Sequence, residues 1–447
     1  MEQHNKTFSL VVTDAVAADF AQGDQLELVT TLCLRHLPGR RTVWRASCQG
    51  RDVLLKVFDR HPKQERDASR EWFHSMGLHQ AGLSTPAPLF RAKGGEGTLA
   101  VAFTFIPGGQ TLSEVLADAD EAMLATGFRQ LLEMHGHQHR CGCYQSDDHL
   151  GNYLWSDGRI YMLDAGSCVL KQEVLGLGDR VKNMAMLTAN ISLAQRAVFD
   201  QVFPVYLDLC PDEMDRAAFS QAMDSAVPQA IQKRLSSYLR KTRRSSSKLE
   251  QIDFTGKSWH ALRAIDATLK SRLLDAPGQF FQGSVRKSER KDDGEHYSEV
   301  DVNHGGKSYI LRHYPCPSWP YRARHYLATP RVLDIWSAGH TLRMVGLAAA
   351  LPVACLVWKK YGAYAGGYLL LEKVAGQALD SAGDGSRQLN ILAGHLKALG
   401  VSCRGVLASD FIVDDSGRLT MVDTSSIRFH RSAGDLEEQL LALSLKR

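Results

Sequence analysis

The densest set of chemically able residues lies between Tyr144 and Ser167. Asp147 is followed five residues later by Asn152. Two short apolar runs then flank a Ser156-Asp157-Gly158 turn, and the second run ends in Asp164-Ala165-Gly166. This is the order of parts that phosphoryl transfer uses: one carboxylate to receive an acceptor's proton, then an amide oxygen and a second carboxylate to hold Mg²⁺ on phosphates. Oxygen ligands of both kinds suit that hard cation, which keeps several waters. Asn152 and Asp164 are therefore the candidate metal ligands. Asp147 is the candidate base, with Asp148, four residues before Asn152, as the alternative. A plain hairpin would explain Asp157-Gly158 and Asp164 without chemistry, so the weight rests on the ordered set rather than on one member.

These residues need a scaffold, and its first part is strand-rich. Leu10-Val-Val-Thr13 and Leu26 to Leu32 read as short strands or edges, followed by a turn at Pro38-Gly39-Arg40-Arg41. Thr42 to Cys48, Gln49-Gly50, and Asp52-Val-Leu-Leu-Lys56-Val-Phe58 read as a β-hairpin whose second strand bears a lysine. A helical stretch from Asp67 contains Glu71 and stops at Gly82, before Thr85-Pro86. Thr98 to Phe105 is a strand broken by Ile106-Pro107-Gly108-Gly109. Thr111-Leu-Ser-Glu114 is a capping box, and Glu121 to His135 has the apolar spacing of an amphipathic helix. His135, His137 and His139 follow at spacings of two, which a metal site could use only on a strand. This stretch reads as the fraying end of a helix, so the metal reading is set aside. Residues 178–275 are helical in pattern. They carry a basic cluster, Lys233-Arg234 and Arg240 to Lys248, which reads either as a solvated helix face or as a surface for an anionic acceptor or membrane.

Bulk properties narrow the class. At 447 residues the chain is long enough for two or more domains. A hydrophobic content of 44% and a charged content of 23% are those of a water-soluble globular protein. The net charge of +4 gives no reason to expect nucleic acid, and no RNA-binding module accompanies the basic cluster. The nine cysteines are scattered, and Cys141 and Cys143 are too close together for the usual zinc pair, which fits a reducing cytoplasm. The N-terminus lacks a signal-peptide apolar core. The longest apolar run, Met344 to Trp358, is interrupted by Pro352 and is too short to span a bilayer, so it is expected inside a domain.

The C-terminal part repeats the N-terminal pattern. Tyr297 to Val302, His304-Gly-Gly-Lys307 and Ser308 to Tyr314 match the hairpin around Lys56, with Arg312 at the lysine position. Arg331 to Leu342 is the matching helix; its only acid is Asp334. Gly367 to Gly376 parallels the strand and break that end at Gly109. Aligned on the turn and the final Asp, Gly405 takes the place of Asp147, Asp410 that of Asn152, and Asp423 that of Asp164. A glycine accepts no proton, and an arginine does not reproduce a lysine's geometry.

Residues 144–167 resemble the catalytic and metal-binding loops of protein-kinase-like phosphotransferases. The segment Arg70-Glu71-Trp72 through Thr85-Pro86-Ala87-Pro88 is similar to the glutamate helix and turn of bacterial lipopolysaccharide-core sugar kinases, of heptose or Kdo type. The resemblance implies a bilobal α+β fold, with a small, mostly antiparallel β lobe and a helical lobe, duplicated with the second copy truncated. It places a catalytic domain over 1–275, its N-lobe about 1–107 and its C-lobe about 108–275, and a pseudokinase domain over 276–447. It implies ATP and Mg²⁺ as cofactors. Lys56 would reach the α- and β-phosphates, held by Glu71, with Glu65 as reserve partner. Gly39 stands where the family's phosphate loop would be, and Phe105 and Ile106 where the interlobe hinge would face adenine. The five-residue step to Asn152 favours Asp147 as base. The kinase His-Arg is replaced by Gln145-Ser146, the Phe of Asp-Phe-Gly by Ala165, and no full glycine loop is present.

The implied activity is ATP-dependent phosphorylation of a sugar hydroxyl of the lipopolysaccharide core. The implied partners are the core oligosaccharide and other core-assembly enzymes, at the cytoplasmic face of the inner membrane. The alternatives are a small-molecule kinase of aminoglycoside or choline type and a non-catalytic tandem scaffold.

Overall fold

The computed structural model describes residues 6–210, 214–246, 248–290, 295–315, 329–360, 363–379, 386–403 and 406–429. The chain is α+β and divides into two compact units, Met1–Val227 and Pro228–Arg447.

The first unit opens with strands whose residues alternate between core and solvent. In β2 (Gln25–Leu37), Leu26, Leu28 and Thr30 are buried while Gln25, Glu27 and Val29 are exposed, the period of two that a half-buried strand requires. β1 (Thr7–Ala15), β2, β3 (Arg41–Cys48), β4 (Arg51–Phe58), β5 (Pro88–Gly94) and β6 (Leu99–Thr104) form a closed antiparallel barrel in the order β1-β2-β3-β4-β6-β5. The stretches read as short edges are thus full strands, and pairing of β1 with β5 leaves no open edge. Between β4 and β5 runs α1 (Gln64–Gln80), which lays Ala68 and Trp72 against Phe58, Leu99, Val101 and Phe103. That packing turns Glu71 inward.

A helical region follows. β7 (Gln110–Thr111) leads into α2 (Leu112–Val115), and the Thr111–Glu114 capping box forms in both directions. α3 (Glu121–Arg140) is capped by Asp120 and buries Leu124, Phe128, Leu131 and Leu132. It runs through the histidines instead of fraying at them. β8 (Cys143–Gln145) pairs with β11 (Cys168–Leu170), and β9 (Tyr153–Ser156) with β10 (Arg159–Met162). The β9–β10 turn has φ of +48° at Asp157 and +72° at Gly158, the left-handed pair a two-residue hairpin needs. α4 (Leu177–Asn190), α5 (Leu193–Val202) and α6 (Pro204–Asp208) complete the core around Phe128, Phe199 and Tyr206.

The division falls at Pro228, inside α7 (Arg216–Lys241), well before the expected 275/276 boundary. Residues 249–262, expected to be helical, are instead β12 (Leu249–Phe254) and β13 (Lys257–Leu262). They are joined by a tight turn at Thr255-Gly256, where Gly256 has a φ of +74°. They belong to the second unit because β13 pairs with β17 (Pro352–Lys360). Together with α8 (Ala267–Asp275), β14 (Arg286–Arg290), β15 (Glu295–His304), β16 (Lys307–Tyr314) and β18 (Ala363–Glu372), these build a seven-stranded antiparallel sheet ordered β12-β13-β17-β18-β16-β15-β14. α9 (Arg331–Met344) packs on it through Val332, Ile335 and Trp336.

The two units share a pattern. β14-β15-β16-β18-β17 are neighbours in the same order as β2-β3-β4-β6-β5, and each of these sets of five has a helix between its third and fourth strands in the chain. Of the apolar run Met344 to Trp358, the second half, from Pro352, lies in β17, with Ala354, Cys355 and Leu356 in the core. Among the described residues, no helix is long and apolar enough to cross a membrane.

Candidate functional site

Lys56 is carried on β4, opposite Val43 of β3 and Val101 of β6. Its ammonium makes an ion pair with Glu71 of α1; their side chains are 7% and 1% exposed. Nζ also donates to the carbonyl of Leu163, at 3.1 Å. Glu65, the reserve partner, lies away at the surface and pairs with Arg91. A buried charged pair of this kind contributes little net stability, but removing one member strands the other. Glu71→Ala is therefore expected to lower unfolding stability by about 3 kcal/mol, read as a shift in denaturant midpoint. Lys56→Met, Glu71→Gln together should restore most of that loss, because the double change leaves no buried charge unpaired.

The bond to Leu163 ties the barrel to the loop bearing Asp164. Leu163 N in turn donates to Asn152 O at 2.9 Å, so the two candidate metal ligands sit on adjoining backbone segments. Asn152 Nδ2 donates to the Asp147 carbonyl at 2.7 Å, which leaves Oδ1 as the side-chain atom able to meet a cation. Ser146 N donates to Ser167 O at 3.0 Å, closing the loop from its other end. Lys56, Glu71, Asn152 and Asp164 are thus drawn into one cluster, with Asp147 on its rim.

Gly166 has a steric reason. A Cβ there would fall 2.6 Å from Glu71 Oε2 and 3.7 Å from Asp164 Oδ1. Glu71 cannot yield without releasing Lys56. Gly166→Ala is expected to cost about 2 kcal/mol of stability as an overpacked contact, and to displace the Lys56–Glu71 pair, detectable as a changed Lys56 Nζ NMR resonance.

The two adjacent aspartates have opposite environments. Asp148 is fully buried. Its Oδ2 accepts from His135 Nε2 at 2.8 Å and Asn183 Nδ2 at 3.0 Å, and its Oδ1 from Tyr153 OH at 2.7 Å. His135 Nδ1 bonds to the Leu131 carbonyl at 2.7 Å. A carbonyl only accepts, so Nδ1 donates to it; the Asp148 carboxylate, which also accepts from Asn183 and Tyr153, takes a hydrogen bond from Nε2–H, so His135 is an imidazolium facing a carboxylate. Burial pushes the His135 pKa down, but Asp148 outweighs it and the net shift is upward. Asp147, by contrast, has a side chain 78% exposed, with the His149 ring nitrogen Nε2 4.0 Å from its Oδ2. Of the two, Asp147 alone is open to solvent.

The histidines set aside as metal ligands are thus part of a buried support. His139 bonds to Tyr206 OH and to Asn183 Oδ1, each at 2.8 Å, while Asn183 Nδ2 also reaches the Gln145 carbonyl. Burial holds the His139 pKa down at about 3, so its ring is neutral. Asn183, Tyr153 and Asn190, which donates to the Asp148 carbonyl at 2.7 Å, were not singled out from the sequence. The His135–His139 spacing of four on an α-helix was the available signal.

The remaining expected positions are more loosely placed. Gly39 sits in the β2–β3 turn with a φ of +68°. Phe105 and Ile106, half-buried, follow β6, and the Arg45 guanidinium lies 4.8 Å from the Phe105 ring centroid. Arg41, not singled out from the sequence, lies 3.5 Å from Glu71 Oε2 and 3.7 Å from Asp164 Oδ2. The Arg40-Arg41 doublet in the turn was the signal.

In the second unit the positions that the sequence aligns with this cluster are paired differently. Arg312 of β16 is buried, 3.1 Å from Glu299 of β15 and 3.1 Å from Asp423. Its acid partner comes from the neighbouring strand, while Asp334 of α9 pairs with Arg243 at 2.9 Å. Val422 N donates to Asp410 O at 2.7 Å, the same backbone bond as Leu163 to Asn152. Gly405 lies outside the described residues. Two members of the basic cluster are engaged within this unit, Arg243 with Asp334 and Arg234 with the Met344 carbonyl at 3.2 Å.

The cluster around Lys56 offers a carboxylate and an amide oxygen for a hard cation, a buried ammonium for an anion, and an exposed carboxylate for a proton. Among the described residues, no group of three or more His, Cys, Asp or Glu is placed to hold a metal by itself. A cation here would thus draw ligands from a bound phosphate and water as well. No protein-family model matches the chain, and no curated protein matches it.

Proposed function

We propose that the first unit is an ATP- and Mg²⁺-dependent phosphotransferase of protein-kinase-like fold, acting on an alcohol group, and that the second unit is a degenerate copy of it. The observation that carries this reading is the Lys56–Glu71 pair with Lys56 Nζ bonded to Leu163 O, one residue before Asp164. It gathers phosphate-binding, metal-binding and proton-accepting groups from four separate segments of the chain. The shared strand order of the two sheets supports the duplication. In the second unit Arg312 is closed between two carboxylates, which supports loss of chemistry there.

Bound MgATP would supply the phosphoryl group and the neutralising cation. Lys56 would bind the phosphates, kept in place by Glu71. Asn152 Oδ1 and Asp164 would hold the metal, and Gly166 leaves room for that set. Asp147 would orient the acceptor hydroxyl and take its proton, a role that needs its exposure.

The acceptor is a sugar hydroxyl of a lipopolysaccharide core, at the cytoplasmic face of the inner membrane. This rests on the similarity of Arg70 to Pro88 to the core sugar kinases. The test is phosphate transfer from labelled ATP to delipidated core oligosaccharides, a protein panel and small alcohols, with Asp147→Ala as control. Transfer to the oligosaccharide, lost in the control, is the expected result. Transfer to small alcohols alone favours the aminoglycoside- or choline-type reading. No nucleotide binding at all favours a scaffold, and transfer surviving in the control sinks the assigned mechanism.

A further inference from the structure

Arg41 is the first residue of β3, directly after the Pro38-Gly39-Arg40 turn. Its side chain is only 20% exposed. One guanidinium nitrogen is 3.5 Å from Glu71 Oε2 and another 3.7 Å from Asp164 Oδ2. These are charge contacts longer than hydrogen bonds, whose N–H···O distances cluster near 2.9 Å. Among the described residues the guanidinium makes no hydrogen bond, so its planar fork of donors is unused. Glu71 therefore holds two cations with one carboxylate: Oε1 meets Lys56 and Oε2 faces Arg41.

The charge balance calls for such a residue. A polyphosphate entering this cluster meets the carboxylates of Glu71 and Asp164, and a single lysine that Glu71 already engages. A glycine-rich loop would answer with a row of backbone N–H groups, but the turn offers only Gly39. A guanidinium matches phosphate oxygens two at a time, which an ammonium cannot.

We infer that Arg41 is the phosphate-binding cation of this site in place of a glycine-rich loop, and that it rests against Glu71 and Asp164 until a nucleotide takes it over. The inference rests on the phosphotransferase reading and deepens it. It has two consequences of opposite sign. Arg41 strengthens binding of a polyphosphate. It also neutralises Asp164 in the nucleotide-free protein, and so weakens binding of Mg²⁺ alone.

The test is calorimetric titration of the full chain, wild type against Arg41→Gln and Arg41→Lys, with adenosine, AMP, ADP and ATP at fixed Mg²⁺, and with Mg²⁺ alone. Arg41→Gln should raise the Kd for ATP at least tenfold and leave adenosine within twofold. Arg41→Lys should recover only part of the loss. Mg²⁺ alone should bind Arg41→Gln more tightly than wild type. Unliganded melting curves of the three proteins confirm folding, and Arg41→Lys carries the comparison if Arg41→Gln is unstable. If wild type binds ATP and both variants bind it within twofold, the Arg41 role is overturned while the phosphotransferase reading stands. If wild type binds no nucleotide, both fall.

Discussion

Asp148→Ala is expected to unfold the first unit, and Asp147→Asn to leave it folded and inactive. The neighbours differ by one position and by nearly the whole range of exposure. Removing the Asp148 carboxylate leaves the His135 imidazolium buried without its counter-charge, and takes the acceptor from Tyr153 OH and Asn183 Nδ2. Breaking a buried pair of this kind costs about 3–5 kcal/mol, a large share of a domain's stability. Asp147 meets the fold through its backbone carbonyl, and its side chain is 78% exposed, so replacement of that side chain should stay within about 0.5 kcal/mol of wild type. An amide accepts no proton, and under the proposed function, with Asp147 as general base, its loss lowers turnover by about 10²–10⁴-fold. Denaturant titration and phosphate transfer, measured on both variants, separate the roles. A stable Asp148→Ala together with an active Asp147→Asn would exchange them.

Acidification from pH 7 to pH 5 is expected to unfold the second unit before the first. Burial holds His260 and His340, both in the second unit, at about 4, below the ordinary histidine value. A histidine depressed by folding is neutral in the native state. The stability it contributes is complete above its unfolded pKa near 6.5 and is lost as pH falls toward the folded value. At pH 5 each costs about 2 kcal/mol, or about 4 kcal/mol for the pair. In the first unit His139 has the same sign, but His135 has the opposite one. Its pKa is raised by Asp148, so its contribution is complete below the unfolded value and is lost only as pH rises. The first unit therefore keeps an acid-side compensation through His135. Histidine resonances or hydrogen exchange, followed from pH 7 to pH 5, would report the order. Loss of the first unit first would show that the His135–Asp148 pair does not carry the charge assigned to it.

Much of the candidate site could be read from order alone. Lys56 before Glu71, then Asp147, Asn152 and Asp164, is a one-dimensional pattern, because each residue lies on its own short strand, helix or turn. Hairpin signals around Gly50 and Gly158 located the strands, since a tight turn needs residues that tolerate positive φ. Other features were not legible. The helical reading of 249–262 failed because a short amphipathic stretch suits a helix or a strand, and its partner β17 lies about a hundred residues away. The domain boundary moved with it.

What the sequence by itself determined is therefore local: element types, turn positions, and which side chains bear useful chemistry. Tertiary structure alone decided between equals. Asp147 and Asp148 are the same residue type, one step apart. Only the packing of α3 and α4 around His135, Tyr153 and Asn183 buries one and leaves the other in solvent. Likewise Glu65 and Glu71 lie on one helix, and the face that α1 lays on the barrel sends Glu71 to Lys56. Burial and pairing are properties of what a residue meets in space. A single chain read in order holds the candidates for those meetings, and long-range contacts select among them.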